Sequence, residues 1–213
     1  MAPSHRYILA SRSPRRRELL SLLVPPESIE VLPPPTSREA GFAELSDLDA
    51  IRSRLQEIAS TKADQVVRQL GERFDKCIVV AADTTIIATD PETQRPHVLE
   101  QPPETDEWQT TVRDWFRRYY AGRWHIAATA LDLRIGHNLP IRRVVETRVE
   151  FRSDVDRWLD WYLQTAESRG KAGGYAIQGA GSVFVSRVEG SLSNVVGLPL
   201  EVLAECLKLV SIG

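Results

Sequence analysis

Residues able to handle phosphate crowd the start of this chain. In Leu9-Ala10-Ser11-Arg12-Ser13-Pro14-Arg15-Arg16-Arg17-Glu18, two serine hydroxyls and four arginines follow the short apolar run Tyr7-Ile8-Leu9-Ala10. The run reads as a strand. Ser13 can cap a helix and Pro14 suits its first turn. A helix N-terminus offers unpaired N–H groups and a positive dipole end. Arginines at that pole are unfavourable unless an anion lies between them, so the arrangement asks for a phosphate chain. A solvated basic first turn is the alternative reading.

Asp83 follows the apolar run Cys77–Ala82. A carboxylate at the carboxyl end of a buried strand of an α/β sheet stands where ligands gather, and it can bind a divalent metal or take a proton from water. Capping the turn at Thr84-Thr85 is the plainer role. Lys62 lies four residues from both Ile58 and Val66, so it borders a helical apolar stripe and could reach past the helix to a phosphate; a snorkelling surface lysine fits too. Glu39 is a loop carboxylate. Gln178, in a glycine-rich loop, offers both a donor and an acceptor to a base edge, or a satisfied turn amide. The four histidines lack metal-binding spacing, and neither a P-loop nor a serine-hydrolase elbow is present.

Several elements must position these groups. A helix is predicted over Arg15–Leu23 and a strand over Ile29–Leu32, then a stiff connector of three prolines. Apolar residues at 48, 51, 55, 58 and 59 predict a long amphipathic helix over Asp47–Leu70, stopped by Gly71. The run Cys77–Ala82 predicts a strand covered on both faces, ending at Asp83 and resuming at Ile86-Ile87. Asp90–Pro103 reads as a loop and Thr105–Tyr120 as a helix with an aromatic face suited to a core or to a homodimer. Trp124–Leu133 and Ile141–Phe151 read as a strand pair. Asp154 is expected to cap a helix with Val155, Trp158, Leu159 and Tyr162 inward. Gly170–Gly181 reads as a loop, Val183–Val185 as a strand, and Pro199 as the opening of a last helix through Leu209. Intermingled strands and helices indicate a mixed α/β sheet.

The chain has 213 residues, enough for one good core or two small lobes around a cleft. With 42% hydrophobic and 26% charged residues and a net charge of -2, it lacks a general nucleic-acid signature. Cys77 and Cys206 fit reduced thiols of a cytoplasmic protein. No signal peptide is expected, and no stretch approaches the roughly 20 apolar residues of a membrane span.

Four segments in order resemble the motifs of the Maf family of nucleoside triphosphate pyrophosphatases: Leu9–Arg16, Ala82-Asp83-Thr84, Lys171–Gly179 and Ser193–Leu200. The resemblance implies a single domain over 1–213: a mixed, twisted α/β sheet with flanking helices, akin to the inosine triphosphatase fold, and two lobes around a nucleotide cleft. It implies hydrolysis of a nucleoside triphosphate to monophosphate and pyrophosphate with Mg²⁺ or Mn²⁺. Asp83 would be the proton acceptor, with Lys62 and Glu39 in the catalytic set and Asp83 and Glu39 toward the metal. Ser11, Arg16, Lys62 and Lys171 would meet the substrate. Arg15, Thr84 and Gln178 match the branch that cleaves dTTP and UTP. Two positions depart from the family pattern: Gln101 stands where a lysine is usual, and Gly170 where an acidic residue is common. Losing one charge-assisted phosphate contact would weaken transition-state stabilisation by roughly 1–3 kcal/mol, or about 10–100-fold in rate. These departures motivate a second reading, a nucleotide-binding regulator with weak or no catalysis. The expected partner is the nucleotide, with a homodimer left open and with neither nucleic acid nor membrane.

Overall fold

In the computed structural model, which describes residues 6–36, 41–136 and 138–211, every strand joins one sheet. Strands β1 (Arg6–Leu9), β2 (Ile29–Val31), β3 (Cys77–Thr89), β4 (Pro96–Leu99), β5 (Trp124–Ile135), β6 (Ile141–Phe151) and β7 (Val185–Glu189) lie in the order β2-β1-β3-β5-β6-β7, with β4 paired to β3. Both β1 pairings are parallel; the others are antiparallel. The helices are α1 (Pro14–Leu20), α2 (Leu48–Leu70), α3 (Trp108–Trp115), α4 (Asp156–Gln164), α5 (Leu192–Val196) and α6 (Leu200–Ser211).

Side-chain alternation along β3 assigns the helices to faces. On one face, α2 sets Ile51, Leu55, Ile58 and Ala59 against Ile87, Ala128 and Ala130. Further along, its Ala63, Val66 and Leu70 meet Ile8, Val79 and Ala81. On the other face, Leu19 and Leu20 of α1 and Leu203 and Cys206 of α6 cover Leu9, Ile78, Val80 and Ala82. Val112, Phe116, Tyr120, Leu159 and Tyr162 cover Ile86, Ala127 and Phe151. The aromatic face of α3 and the π-helical turn that continues it (Phe116–Tyr120) is thus spent on the core.

The long helix begins and ends where its spacing predicts: Asp47 accepts from the Ala50 N–H at 2.9 Å, and Gly71, at φ 55°, stops it. Cys77 and Cys206 are buried free thiols. Several expectations need correction. β3 runs unbroken for 13 residues, so Asp83 lies inside a strand and not at its end. The stretch expected to be a loop contains β4, an edge strand whose first residue is a proline, a position where the missing N–H does no harm. Asp154 caps no helix; its carboxylate pairs with Arg152 instead. Trp158 is 36% exposed and packs edge-on to Trp161. Residues 183 and 184 belong to a 3₁₀ turn that precedes β7.

One buried titratable group links the core to pH. His125 is 2% exposed, and its Nε2 lies 2.8 Å from the Tyr175 hydroxyl. Burial pushes its pKa down to about 3 from 6.5. The unfolded chain then binds a proton below pH 6.5 that the folded chain refuses, so stability falls as pH drops through the window from about 6.5 toward 3. Denaturant titrations at pH 6.5 and 4.5 are expected to show a stability loss on the order of 2 kcal/mol greater for the wild type than for His125→Gln.

Candidate functional site

The site forms where β3 changes partners. β1 pairs with β3 only as far as Val80, and β4 only from Ile86. β5 holds the other edge throughout, from Ile78 to Ala88. Residues 81–85 therefore lie between two partners on one edge. A cleft of about 490 Å³ opens there, within the usual range for ligand sites. Consecutive strand residues point to opposite faces: Asp83 turns toward α2 and Thr84 toward α1 and α5. Both still line the cleft, because it crosses the open edge.

On the α2 side, Lys62 Nζ donates to Asp83 Oδ1 at 2.6 Å, and the two side chains are 17% and 13% exposed. On the other side, the Arg16 guanidinium is held at several points. Its Nε donates to the Gly197 carbonyl at 2.8 Å, Nη2 to the Thr84 hydroxyl at 2.9 Å, and Nη1 to Ser11 Oγ at 3.3 Å. Ser13 caps α1 by accepting from the Arg16 N–H. Lining cations outnumber lining carboxylates five to one among the described residues: Arg12, Arg15, Arg16, Lys62 and Lys171 against Asp83.

The glycine-rich loop closes the far wall with Gly170, Lys171, Ala172 and Tyr175. It is anchored from beneath by buried tyrosines: Tyr120 donates to the Gly173 carbonyl and Tyr162 to the Gly174 carbonyl, each at 2.9 Å. The Glu167 carboxylate accepts from the Ala180 and Gly181 N–H groups at 2.8 and 2.9 Å, and Lys171 Nζ donates to the Glu167 carbonyl. Burial first, and the Arg15 charge second, push the Lys171 pKa below its ordinary value, with Glu167 opposing. Two cations held together in partial burial are relieved by an anion between them.

The fold thus gathers Ser11, Arg15, Arg16, Lys62, Asp83, Thr84 and Lys171 around one cleft, and adds Arg12, which has no assigned role. Gln101 and Gly170 line it as well. Gln178 is exposed in a turn and is not among the lining residues. Glu39 lies outside the described residues. Sequence reasoning passed over Thr129 and Asn194, both fully buried, which stand behind Thr84. Thr129 shows only as a hydroxyl in the otherwise apolar stretch Ile126–Leu131, while Asn194 lies in the Ser193–Leu200 motif without a role of its own assigned there.

Sheet topology and cleft define an α/β protein whose cleft sets, among the described residues, one carboxylate amid clustered cations. The chain belongs to the Maf-like protein family, whose sequence profile matches residues 6–210. It is 36% identical over 202 residues to a dTTP/UTP pyrophosphatase of Pyrococcus horikoshii, with 95% of each chain covered. It is also 36% identical over 211 residues to a dTTP/UTP pyrophosphatase of Anaeromyxobacter dehalogenans, covering 98% of this chain and 94% of the relative. Among solved structures, a dITP/XTP pyrophosphatase from Mycobacterium abscessus aligns with 70% of this chain and 75% of its own at 14% identity and a TM-score of 0.40, too distant to add to the topology.

Gly173 tests how the loop is held. Its φ is +68°, and a Cβ there would come within 2.4 Å of the Tyr120 hydroxyl and 2.6 Å of Ile86. Gly173→Ala is expected to destabilise the protein by roughly 2–4 kcal/mol through strain and overpacking, read by urea denaturation.

Proposed function

We propose that this protein hydrolyses nucleoside triphosphates, dTTP and UTP foremost, to the nucleoside monophosphate and pyrophosphate. One observation carries the reading: Asp83 is held 2.6 Å from Lys62 in a cleft whose other charged lining residues, among those described, are cations. The names of the family relatives support the reaction and the substrates. Arg16, Ser11 and Lys171 would bind the phosphate chain, with Arg15 beside them. Lys62 would neutralise charge between Asp83 and the substrate. Asp83 would accept a proton from water as its oxygen bonds to the α-phosphorus. The bond from that phosphorus to the α,β-bridging oxygen then breaks, and pyrophosphate leaves with the electron pair. Holding water, carboxylate and phosphorus in line supplies much of the rate.

The donor set fits a divalent metal carried in with the substrate. Among the described residues, no group of three or more His, Cys, Asp or Glu forms a metal cage. Mg²⁺ commonly takes only one or two protein carboxylates beside substrate phosphates. Asp83, with Glu39 assisting, would hold Mg²⁺ or Mn²⁺, which when bound polarises phosphoryl oxygens. No described helix is long and apolar enough to cross a membrane. Buried free thiols support a reducing compartment, the cytoplasm.

Gln101 and Gly170 at the cleft favour one competing reading, a nucleotide-binding regulator. A nucleotide panel with Mg²⁺ and Mn²⁺, assayed for pyrophosphate, separates the two. UTP and dTTP are expected to be cleaved, and Asp83→Asn to lower kcat by roughly 10²–10⁴-fold. Tight binding without turnover would instead select the regulator. Gln101→Lys restores a cation at the cleft wall and is expected to raise kcat/KM by about tenfold or more, equivalent to one added charge-assisted contact.

A further inference from the structure

Thr129 lies on β5 with no exposure and is not among the residues that line the cleft. It stands directly opposite Thr84 in the antiparallel ladder of β3 and β5. Its hydroxyl is 2.9 Å from that of Thr84 and 3.1 Å from the Asn194 carbonyl. A carbonyl can only accept, and a threonine hydroxyl has one proton. Thr129 therefore donates to Asn194, and Thr84 must donate to Thr129. With its proton turned inward, Thr84 offers only lone pairs to the cleft, and Arg16 Nη2 donates to them at 2.9 Å. Three hydrogen bonds run in one direction, from Arg16 through both hydroxyls to the Asn194 carbonyl.

The far end of this relay is fixed. Asn194 is fully buried, and its Nδ2 donates to the Ala127 carbonyl at 2.9 Å and to Thr147 Oγ1 at 3.0 Å. Thr147 in turn donates to the Ser191 carbonyl at 3.0 Å. β5, β6 and the segment entering α5 thus lock the acceptor on which Thr129 spends its proton.

We propose that Thr129 is a positioning residue: it sets the polarity of the Thr84 hydroxyl, so that Thr84 accepts from Arg16 and holds the guanidinium against the cleft. The inference rests on the hydrolase reading only for its kinetic consequence. It assigns Thr84 a role that a plain substrate contact does not have. While the relay is intact, Thr84 cannot donate to a phosphate oxygen; it serves the substrate through Arg16. Without the Thr129 hydroxyl, the Thr84 proton is free to turn outward, where it opposes the Arg16 N–H.

The test compares the full-length wild type with T129V, which removes the hydroxyl, and T129S, which keeps it. In the ligand-free protein, solvent exchange of the Arg16 Nε–H, followed by nitrogen NMR, is expected to accelerate about tenfold or more in T129V and to stay within about threefold in T129S, since local opening sets that rate. With UTP as substrate, T129V is expected to raise KM about tenfold while kcat changes less than about threefold, the pattern of lost binding that is uniform along the reaction. If Thr129 acts through Thr84, adding T129V to T84V changes neither readout further. Should T129V not fold, T129C, whose thiol is a weak donor, is read in the same way. Wild-type Arg16 exchange in T129V, equal damage from T129S, or a fall in kcat alone overturns the proposal. If the wild type cleaves no nucleotide while Arg16 still responds to T129V and not to T129S, the positioning role stands and the hydrolase reading falls.

Discussion

The ion pair between Lys62 and Asp83 joins the helix, the sheet and the cleft. Its length of 2.6 Å requires α2 to lie close on β3. Small residues allow this: Ala59 and Ala63 flank Lys62 on the helix and pack, fully buried, toward the sheet. The apolar stripe from Ile51 to Leu70 fixes the rotation of α2 and so aims Lys62 along the stripe's edge. Both charges are mostly withdrawn from water. Removing Lys62 would leave the Asp83 carboxylate poorly solvated and without this cation, so the pair constrains the site before any ligand arrives.

That constraint makes sense of the unusual course of β3. An unbroken strand carries Asp83 and Thr84 on opposite faces, and one cleft reaches both because their edge lies between β1 and β4. Asp83 is thereby fixed by α2. Thr84 is fixed by Thr129 across the ladder and by Arg16, which the Gly197 carbonyl holds from the other side. The aromatic core serves the same end: Tyr120 and Tyr162 hold the glycine-rich loop, whose Lys171 lines the cleft with Arg15.

Much of this was legible in the sequence wherever one periodicity dominated. The stripe of α2 and its Gly71 stop required no tertiary information, and neither did the β5–β6 pair; that Asp47 caps the helix and does not belong to it came from the structure. Asp83 stood out because an acid after six apolar residues demands a reason. The continuity of β3 was hidden, because Asp83-Thr84-Thr85 reads as an interruption unless one knows that the edge there opens onto a cleft. β4 was hidden by its neighbouring prolines, which an edge position tolerates. Thr129 was hidden for a different reason. Its meaning lies in the register that places it opposite Thr84, and register between distant strands is not written in either strand alone. Trp158 and Trp161 share the helical spacing of core residues yet lie partly exposed, since α4 buries Leu159, Tyr162 and Leu163 instead.

The proposed hydrolysis requires the α-phosphate to lie between Asp83 and the cations. A crystal structure with a UTP analogue whose α,β-bridging oxygen is replaced by an imido group tests that placement directly. The α-phosphate is expected one water away from the Asp83 carboxylate, with water-to-oxygen distances of about 2.6–3.2 Å, and the β- and γ-phosphates against Arg16, Lys62 or Lys171. An analogue bound with its phosphates out of reach of Asp83, or with its base in the place of the phosphates, would contradict it.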